Sequence, residues 1–96
     1  MSLLSNPSHP GEVLSELYLK PLGMSAIALA KRLDVPRTRI ERLVRQESNL
    51  SADSAIRLAT FFDTTPEYWM NLQRAWDLAQ AQSAVDVSRI KPLKAA

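Results

Sequence analysis

A cluster of basic side chains is the strongest chemical signal in this chain of 96 residues. Six of its twelve lysines and arginines fall within positions 31–45, where only Asp34 and Glu41 carry the opposite charge. Guanidinium groups form paired hydrogen bonds with phosphate oxygens and guanine edges, and a basic patch attracts polyanions. The cluster therefore predicts a surface that binds nucleic acid. An ordinary amphipathic helix with a solvated charged face is the alternative.

Residues that perform catalysis or bind metals are sparse. The chain has no cysteine and a single histidine, His9, so it lacks the ligand set of a zinc site and a thiol nucleophile. Glu12 and Glu16 share one helix face, as a catalytic carboxylate pair does, but no base or nucleophile accompanies them. Two glycines do not make a phosphate-binding loop. We therefore expect no enzymatic activity, no cofactor and no metal.

A helix, a tight turn and a second helix must position the basic cluster. Ser25 is suited to cap the first of these helices, because its hydroxyl accepts a free amide hydrogen. The turn at residues 33–36 ends in a proline, and we expect Pro36 at the first position of the second helix. The helical period places on the buried side of the first helix Ile27, Leu29, Ala30 and Leu33.

The second helix divides into an apolar side and a basic side. Ile40, Leu43 and Val44 follow the spacing of a buried stripe, and Thr38 lies opposite with two arginines. A recognition helix needs this division, because its apolar side fixes it to the domain while its arginines reach bases or phosphates. The predicted DNA-binding residues are Ser25, Lys31, Arg37, Thr38, Arg39, Glu41, Arg42 and Arg45.

Three further helices complete a predicted all-α chain. The first starts at His9 and ends before Pro21, the fourth is capped by Ser51, and the fifth starts at Thr65. Core spacing on the fourth helix selects Ala52, Ala55, Ile56, Ala59 and Phe62. We expect three regions: a flexible arm at 1–8, a helix-turn-helix domain with a C-terminal dimerisation helix at 9–82, and a short tail at 83–96.

The fourth and fifth helices carry more apolar side chains than a small core needs. A large apolar patch left on a small domain marks an interface, so we predict a homodimer held by these helices with help from the tail. Burial inside the monomer is the alternative for at least one tryptophan. The predicted dimer residues are Phe61, Trp69, Met70, Leu72 and Trp76.

No apolar run approaches the roughly 20 residues that span a bilayer. The first ten residues also lack the basic start and apolar centre of a signal peptide. We therefore expect no membrane partner and a cytoplasmic location.

The order of these segments resembles a known family. The matching runs are HPGEVLSELYLKPLGMS, ALAKRLDVPRTRIERLV, LSADSAIRLATFFDTTPEYWMNLQRAWDLAQAQ and VDVSRI. They resemble HigA-type antitoxins of the VapI-like branch of the Xre family of helix-turn-helix proteins, and TPEYWMNLQ is the most specific part. The resemblance implies a five-helix, lambda-repressor-like domain that forms a dimer and binds an inverted-repeat operator in its own promoter. It also implies a cognate toxin partner, a small RelE-like protein that cleaves messenger RNA.

Two positions depart from the pattern of the family. Asp34 occupies a turn position where the family often has glycine, although aspartate tolerates a left-handed backbone. The link QESNLSA replaces a shorter link of the glycine-lysine type. Three other classes stay open: a free-standing Xre regulator without a toxin, a protein-interaction module that no longer binds DNA, and, least supported, an enzyme.

Overall fold

The computed structural model describes residues 6–94 and folds that range into five helices joined by short links. They are α1 (Pro10–Leu22), α2 (Ala26–Leu33), α3 (Arg37–Val44), α4 (Ala52–Phe62) and α5 (Pro66–Ala84). Within residues 6–94 there is no strand, which confirms the predicted all-α class. Of the predicted arm, residues 1–5 lie outside the described range, and residues 6–8 precede α1 without regular structure.

Helix α1 extends beyond its predicted end. Its middle part, Leu14–Leu19, is a π-helix, and its first and last turns are α-helical. The prediction that α1 ends before Pro21 is wrong, because the wider π turn comes directly before the proline and gives its ring room that an α-helical turn lacks. Gly23 then ends the helix with a left-handed φ of 60°.

The turn between α2 and α3 forms largely as the sequence indicates. Ser25 caps α2 by accepting the Ala28 amide at 3.0 Å, and Asp34 adopts the left-handed conformation with φ 59°. The expectation for Pro36 is wrong by one residue. Its ψ of 142° is extended, so Pro36 is the N-cap and α3 begins at Arg37.

The core lies where the five helices meet, and Trp69 is at its centre. The indole N–H of Trp69 donates to the Thr64 hydroxyl at 2.8 Å, so the largest buried side chain has its polar atom satisfied. The rings of Tyr18, Phe62 and Tyr68 lie around it with centroids 5.1 to 6.3 Å away. The other large aliphatic side chains that are fully buried are Leu14, Leu29, Ile40, Leu43 and Leu58.

Three predicted core residues are exposed instead. Ile27 on α2 and Ile56 on α4 are 41 % and 56 % exposed, and Ala52 also faces solvent. The buried side of α4 consists of Ser54, Ala55, Leu58 and Ala59. Because each residue turns a helix by about 100°, choosing Ile56 rather than Leu58 rotated the predicted stripe away from the core.

The start of α1 packs against the end of α3. His9 is 3 % exposed, and its Nδ1 accepts the Gly11 amide at 2.9 Å. Burial lowers the pKa of His9, which favours the neutral ring that can accept this hydrogen. A Cβ atom placed on Gly11 would lie 1.8 Å from the carbonyl oxygen of Leu43. The helix-to-helix contact therefore requires glycine at this position.

Helix α5 continues two residues beyond its predicted end at residue 82, and the segment 85–94 that follows it is exposed. The C-terminal part of α5 projects from the core, since residues 80–84 are all exposed. Within residues 6–94 no single helix is long and apolar enough to cross a bilayer; α1 and α2 meet that criterion only jointly, across a 97° bend.

The contact between α1 and α3 leads to a prediction for Gly11→Ala. We expect the free energy of unfolding to fall by about 1–3 kcal/mol or more, because the added methyl group overlaps the Leu43 backbone. Urea denaturation measures this change. Glu12→Ala is the matched control in the same turn, where the side chain is exposed and we expect a change below about 1 kcal/mol. Equal stability of Gly11→Ala and the native chain would contradict the packing described.

Candidate nucleic-acid interface

Helix α3 presents its predicted polar side to solvent. Ile40 and Leu43 are buried in the core, and Val44 is half-buried. On the opposite side the exposed residues are Arg37, Thr38, Arg39 and Arg42, with Arg45 at the C-cap, whereas Glu41 is half-buried. Lys31 and Ser25 on α2 are exposed as well. The structure therefore brings the predicted contact residues to the surface formed by α3 and α2.

Most of the cations on this surface are unpaired. Within residues 6–94 the side chains of Lys31, Arg37, Arg42 and Arg45 form no ion pair with a carboxylate and no hydrogen bond. A guanidinium group without a protein partner offers all its donors to a ligand. The four side chains thus form a basic surface that can accept anions without first breaking a contact in the protein.

A polar groove of about 410 Å³ lies beside α3. One wall consists of Thr38 and Arg42 from α3, and the other of Ser48 and Asn49 from the link together with Ser51 at the start of α4. Hydroxyl, amide and guanidinium groups are the side chains that contact phosphate and sugar in DNA complexes. The link residues were not among the predicted contacts, because the sequence of the link departs from the family pattern; their hydroxyl and amide groups are the signal that could have identified them.

The link is held in place by a buried glutamine. Gln73 on α5 is 4 % exposed, and its Oε1 accepts the Leu50 amide at 2.6 Å. Its Nε2 donates to Asp77 at 2.8 Å and to Asn49 at 3.3 Å. The side chain therefore connects the groove wall to the long helix. Its position one helical turn after Trp69 is the signal that places it on the buried side.

Arg57 on α4 holds the turn between α2 and α3. Its Nη1 donates to the carbonyl oxygens of Leu33 at 2.8 Å and Asp34 at 3.3 Å, which have no amide partner at the end of α2. Its Nε donates to Asp53 at 2.7 Å. The spacing of Asp53 and Arg57 by four residues is typical of a helix ion pair, but the contact of Arg57 with the turn is not visible in the sequence.

Arg39 differs from the other arginines of α3, because its Nη1 donates to Asp53 Oδ1 at 2.7 Å. Asp53 thus accepts hydrogen bonds from both Arg57 and Arg39. These two contacts lower the pKa of the Asp53 carboxyl below its usual value, so it is ionised at neutral pH. The pairing was not predicted, since Arg39 and Asp53 lie on different helices.

The carboxylates of α1 form a solvated face rather than a catalytic pair. Glu16 pairs with Lys20 at 2.5 Å one turn later, and Glu12 is exposed. Among residues 6–94, no group of three or more histidine, aspartate or glutamate side chains is placed to hold a metal ion.

The predicted dimer residues are distributed unevenly over the surface. Trp69 is fully buried within the monomer, so it has no area left for a second copy, and the prediction is wrong at this residue. Phe61, Met70, Leu72 and Trp76 are half-buried, and the Phe61 ring is covered by the Arg32 guanidinium 4.9 Å from its centroid. The exposed apolar side chains at the end of the chain are Leu78, Val85, Val87, Ile90 and Leu93.

Comparison with known proteins identifies the class. A family described as Helix-turn-helix matches residues 16–69. The chain is 46 % identical to Virulence-associated protein I of Dichelobacter nodosus over 86 residues, which cover 88 % of this chain and 80 % of the relative.

Two solved structures share the whole fold. Antitoxin HigA of Pseudomonas aeruginosa with the higBA promoter has a TM-score of 0.85 and 39 % identity, covering 93 % of this chain and 100 % of that one. Antitoxin GraA in complex with its operator has a TM-score of 0.87 and 41 % identity, covering 94 % of each chain. This chain therefore belongs to the Xre family of helix-turn-helix proteins, in its branch of HigA-type antitoxins and VapI-like proteins.

Proposed function

We propose that this protein binds operator DNA with α3 in the major groove and represses its own promoter in the bacterial cytoplasm. The observation that carries the proposal is the unpaired basic surface on α3 and α2, beside a polar groove. Two relatives with about the same identity to this chain are described as complexes with operator or promoter DNA, which supports it.

The exposed positions suggest a division of roles. Thr38 and Arg42 are exposed on the outward side of α3, the side that would enter the major groove, so we assign them to base edges. Arg45 at the C-cap of α3 and Lys31 in the last turn of α2 are exposed, and we assign them to phosphates together with Ser25 at the start of α2.

Arg42→Ala and Lys31→Ala test this division. We expect Arg42→Ala to weaken binding to the operator by about 1–3 kcal/mol and to relax the preference at one base pair. Lys31→Ala should weaken binding to all sequences about equally. It should also reduce by about one the salt slope, which is the slope of the logarithm of affinity against the logarithm of salt concentration. Fluorescence anisotropy on operator and unrelated duplexes measures both. If both substitutions changed only the affinity for unrelated DNA, the assignment of Arg42 to base reading would fail.

We propose further that the protein acts as a homodimer. Half-buried Phe61, Met70, Leu72 and Trp76 and the exposed apolar side chains from Leu78 onwards supply a surface on α4, α5 and the tail. A dimer of helix-turn-helix units places its recognition helices about 34 Å apart. The operator should then be an inverted repeat with half-sites about one helical turn apart.

Light scattering of the purified chain tests the dimer. We expect twice the monomer mass at tens of micromolar protein, roughly the concentration at which a functional dimer persists. Ile90→Asp, which places a charge on a side chain that is 70 % exposed in the monomer, should shift the mass towards the monomer. Leu17→Asp is the matched control on α1, where leucine is 64 % exposed. A monomeric native chain would rule out the dimer.

The second proposed activity is neutralisation of a RelE-like toxin that cleaves messenger RNA. The antitoxin names of the related structures support it. Because the basic surface is assigned to DNA, we assign the toxin to the arm and α1, where Glu12 adds negative charge and Leu17 and Leu22 are exposed. Acidic and apolar groups together suit a basic partner surface.

Co-expression with the toxin of the neighbouring gene tests whether the two activities separate. Arg42→Ala combined with Arg45→Ala should abolish promoter repression and leave growth protected, because neither residue belongs to α1. Leu17→Asp should have the opposite effect. Loss of protection with a folded double variant would show that toxin and DNA share one surface. A promoter-repressing chain whose neighbouring gene encodes no toxin would instead be a free-standing Xre regulator.

A further inference from the structure

Arg39 is the one arginine of α3 whose side chain is held by another helix within residues 6–94. Its Nη1 donates to Asp53 Oδ1 at 2.7 Å, and the same oxygen accepts the Nε–H of Arg57 at 2.7 Å. Among the described residues the neighbouring cations Arg37, Arg42 and Arg45 have no such partner. The chain therefore places a carboxylate at the edge of its own basic surface and uses it to neutralise one arginine of the recognition helix.

A second arginine, Arg57, holds the same carboxylate oxygen that Arg39 binds. Arg57 is anchored at the turn by the carbonyl oxygens of Leu33 and Asp34, so the guanidinium that binds Asp53 has little freedom to move. Asp53 also lies in the first turn of α4, where the helix dipole favours a negative charge. Loss of the Arg39 contact would therefore leave Asp53 in place with Arg57 as its partner.

The contact with Arg39 is weak enough to be exchanged. The side chains of Arg39 and Asp53 are 42 % and 56 % exposed, and an exposed pair of this kind shifts an equilibrium by about fivefold at most. Such a contact biases Arg39 without locking it. A phosphate of the DNA backbone competes with Asp53 for the same donors.

We propose that Asp53 is a specificity-determining residue, whose carboxylate holds Arg39 away from the DNA backbone and so weakens binding to unrelated sequences. The proposal rests on the DNA binding proposed above. Binding to unrelated DNA comes almost entirely from neutralised phosphates, whereas operator binding also includes the base contacts assigned to Thr38 and Arg42. On the operator the base contacts fix the position of α3, whereas on unrelated DNA a released Arg39 would be free to reach a phosphate, so holding Arg39 on Asp53 weakens unrelated binding more than operator binding.

Asp53→Asn is the direct test. The operator is first selected from a random pool of duplexes with the native protein, and a scrambled duplex of the same length and composition serves as unrelated DNA. We expect Asp53→Asn to bind the scrambled duplex about two- to fivefold more tightly, with a salt slope steeper by about 0.9, because Arg39 then reaches a phosphate. Binding to the operator should gain less. Asp53→Glu, which keeps the charge, should behave as the native chain.

Two further variants separate this effect from a general gain of positive charge. Glu47→Gln removes the same charge from an exposed side chain in the link and should not steepen the slope. Arg39→Gln should leave the native slope nearly unchanged, and in the Asp53→Asn background it should remove the gain. Thermal melting by circular dichroism identifies any variant that fails to fold. If Asp53→Asn fails to fold, the salt slope of Arg39→Gln tests the proposal instead.

Three results would overturn the proposal. Asp53→Asn could show the same salt slope as Glu47→Gln, or its gain in affinity for the scrambled duplex could persist when Arg39 is also replaced. The third result is a salt slope for Arg39→Gln that is about 0.9 smaller than that of the native chain. Failure to select any sequence with the native protein would overturn the proposed DNA binding instead. The two failures are therefore distinguishable.

Discussion

The burial of Ile40 and Leu43 is the interaction on which the basic surface depends. Helix α3 has eight residues, and a helix of that length is not stable alone in water. Its mean hydropathy is low, because arginines and polar residues occupy most of its positions. Two fully apolar anchors, both inserted in the core, therefore hold in place every side chain on its outward face.

Polar contacts complete what apolar burial begins. Gln73 fixes the link after α3, and Arg57 fixes the turn before it, so the two ends of the short helix are connected to α5 and α4. Each contact joins a side chain to backbone atoms that a turn or link leaves unpaired. Such bonds define direction as well as distance, and they explain how a helix with two apolar anchors keeps one orientation.

Local sequence signals predicted the parts of the fold that depend on neighbours along the chain. The Ser25, Ser51 and Thr65 caps are confirmed because each hydroxyl bonds an amide three residues later. The exposed side of α3 followed from the helical period, as did the buried Leu29. The family resemblance is also confirmed, by the match of the Helix-turn-helix family and by the identity to a HigA antitoxin.

The same local signals do not predict contacts between residues that are far apart in the sequence. Periodicity does not distinguish Ile56 from Leu58 on a helix with apolar residues on several sides, and it gives no indication that Arg39 meets Asp53. Pro21 was misread because a proline ends an α-helix but is accommodated after a π turn. Trp69 and Trp76 looked alike in the sequence, although one fills the core and the other lies at its edge.

That difference gives the molecule two optical probes in distinct surroundings. The Trp69 indole is shielded from water and bonded to Thr64, whereas the Trp76 ring is half-buried and meets the His9 imidazole edge-on at 5.2 Å. Fluorescence from Trp69 reports the integrity of the core, and fluorescence from Trp76 reports the seating of the chain's beginning on α5. Burial lowers the pKa of His9, so its ring is neutral at neutral pH. A change in Trp76 emission alone therefore indicates detachment of the N-terminal helix, whereas a change in both emissions indicates global unfolding, without an added label.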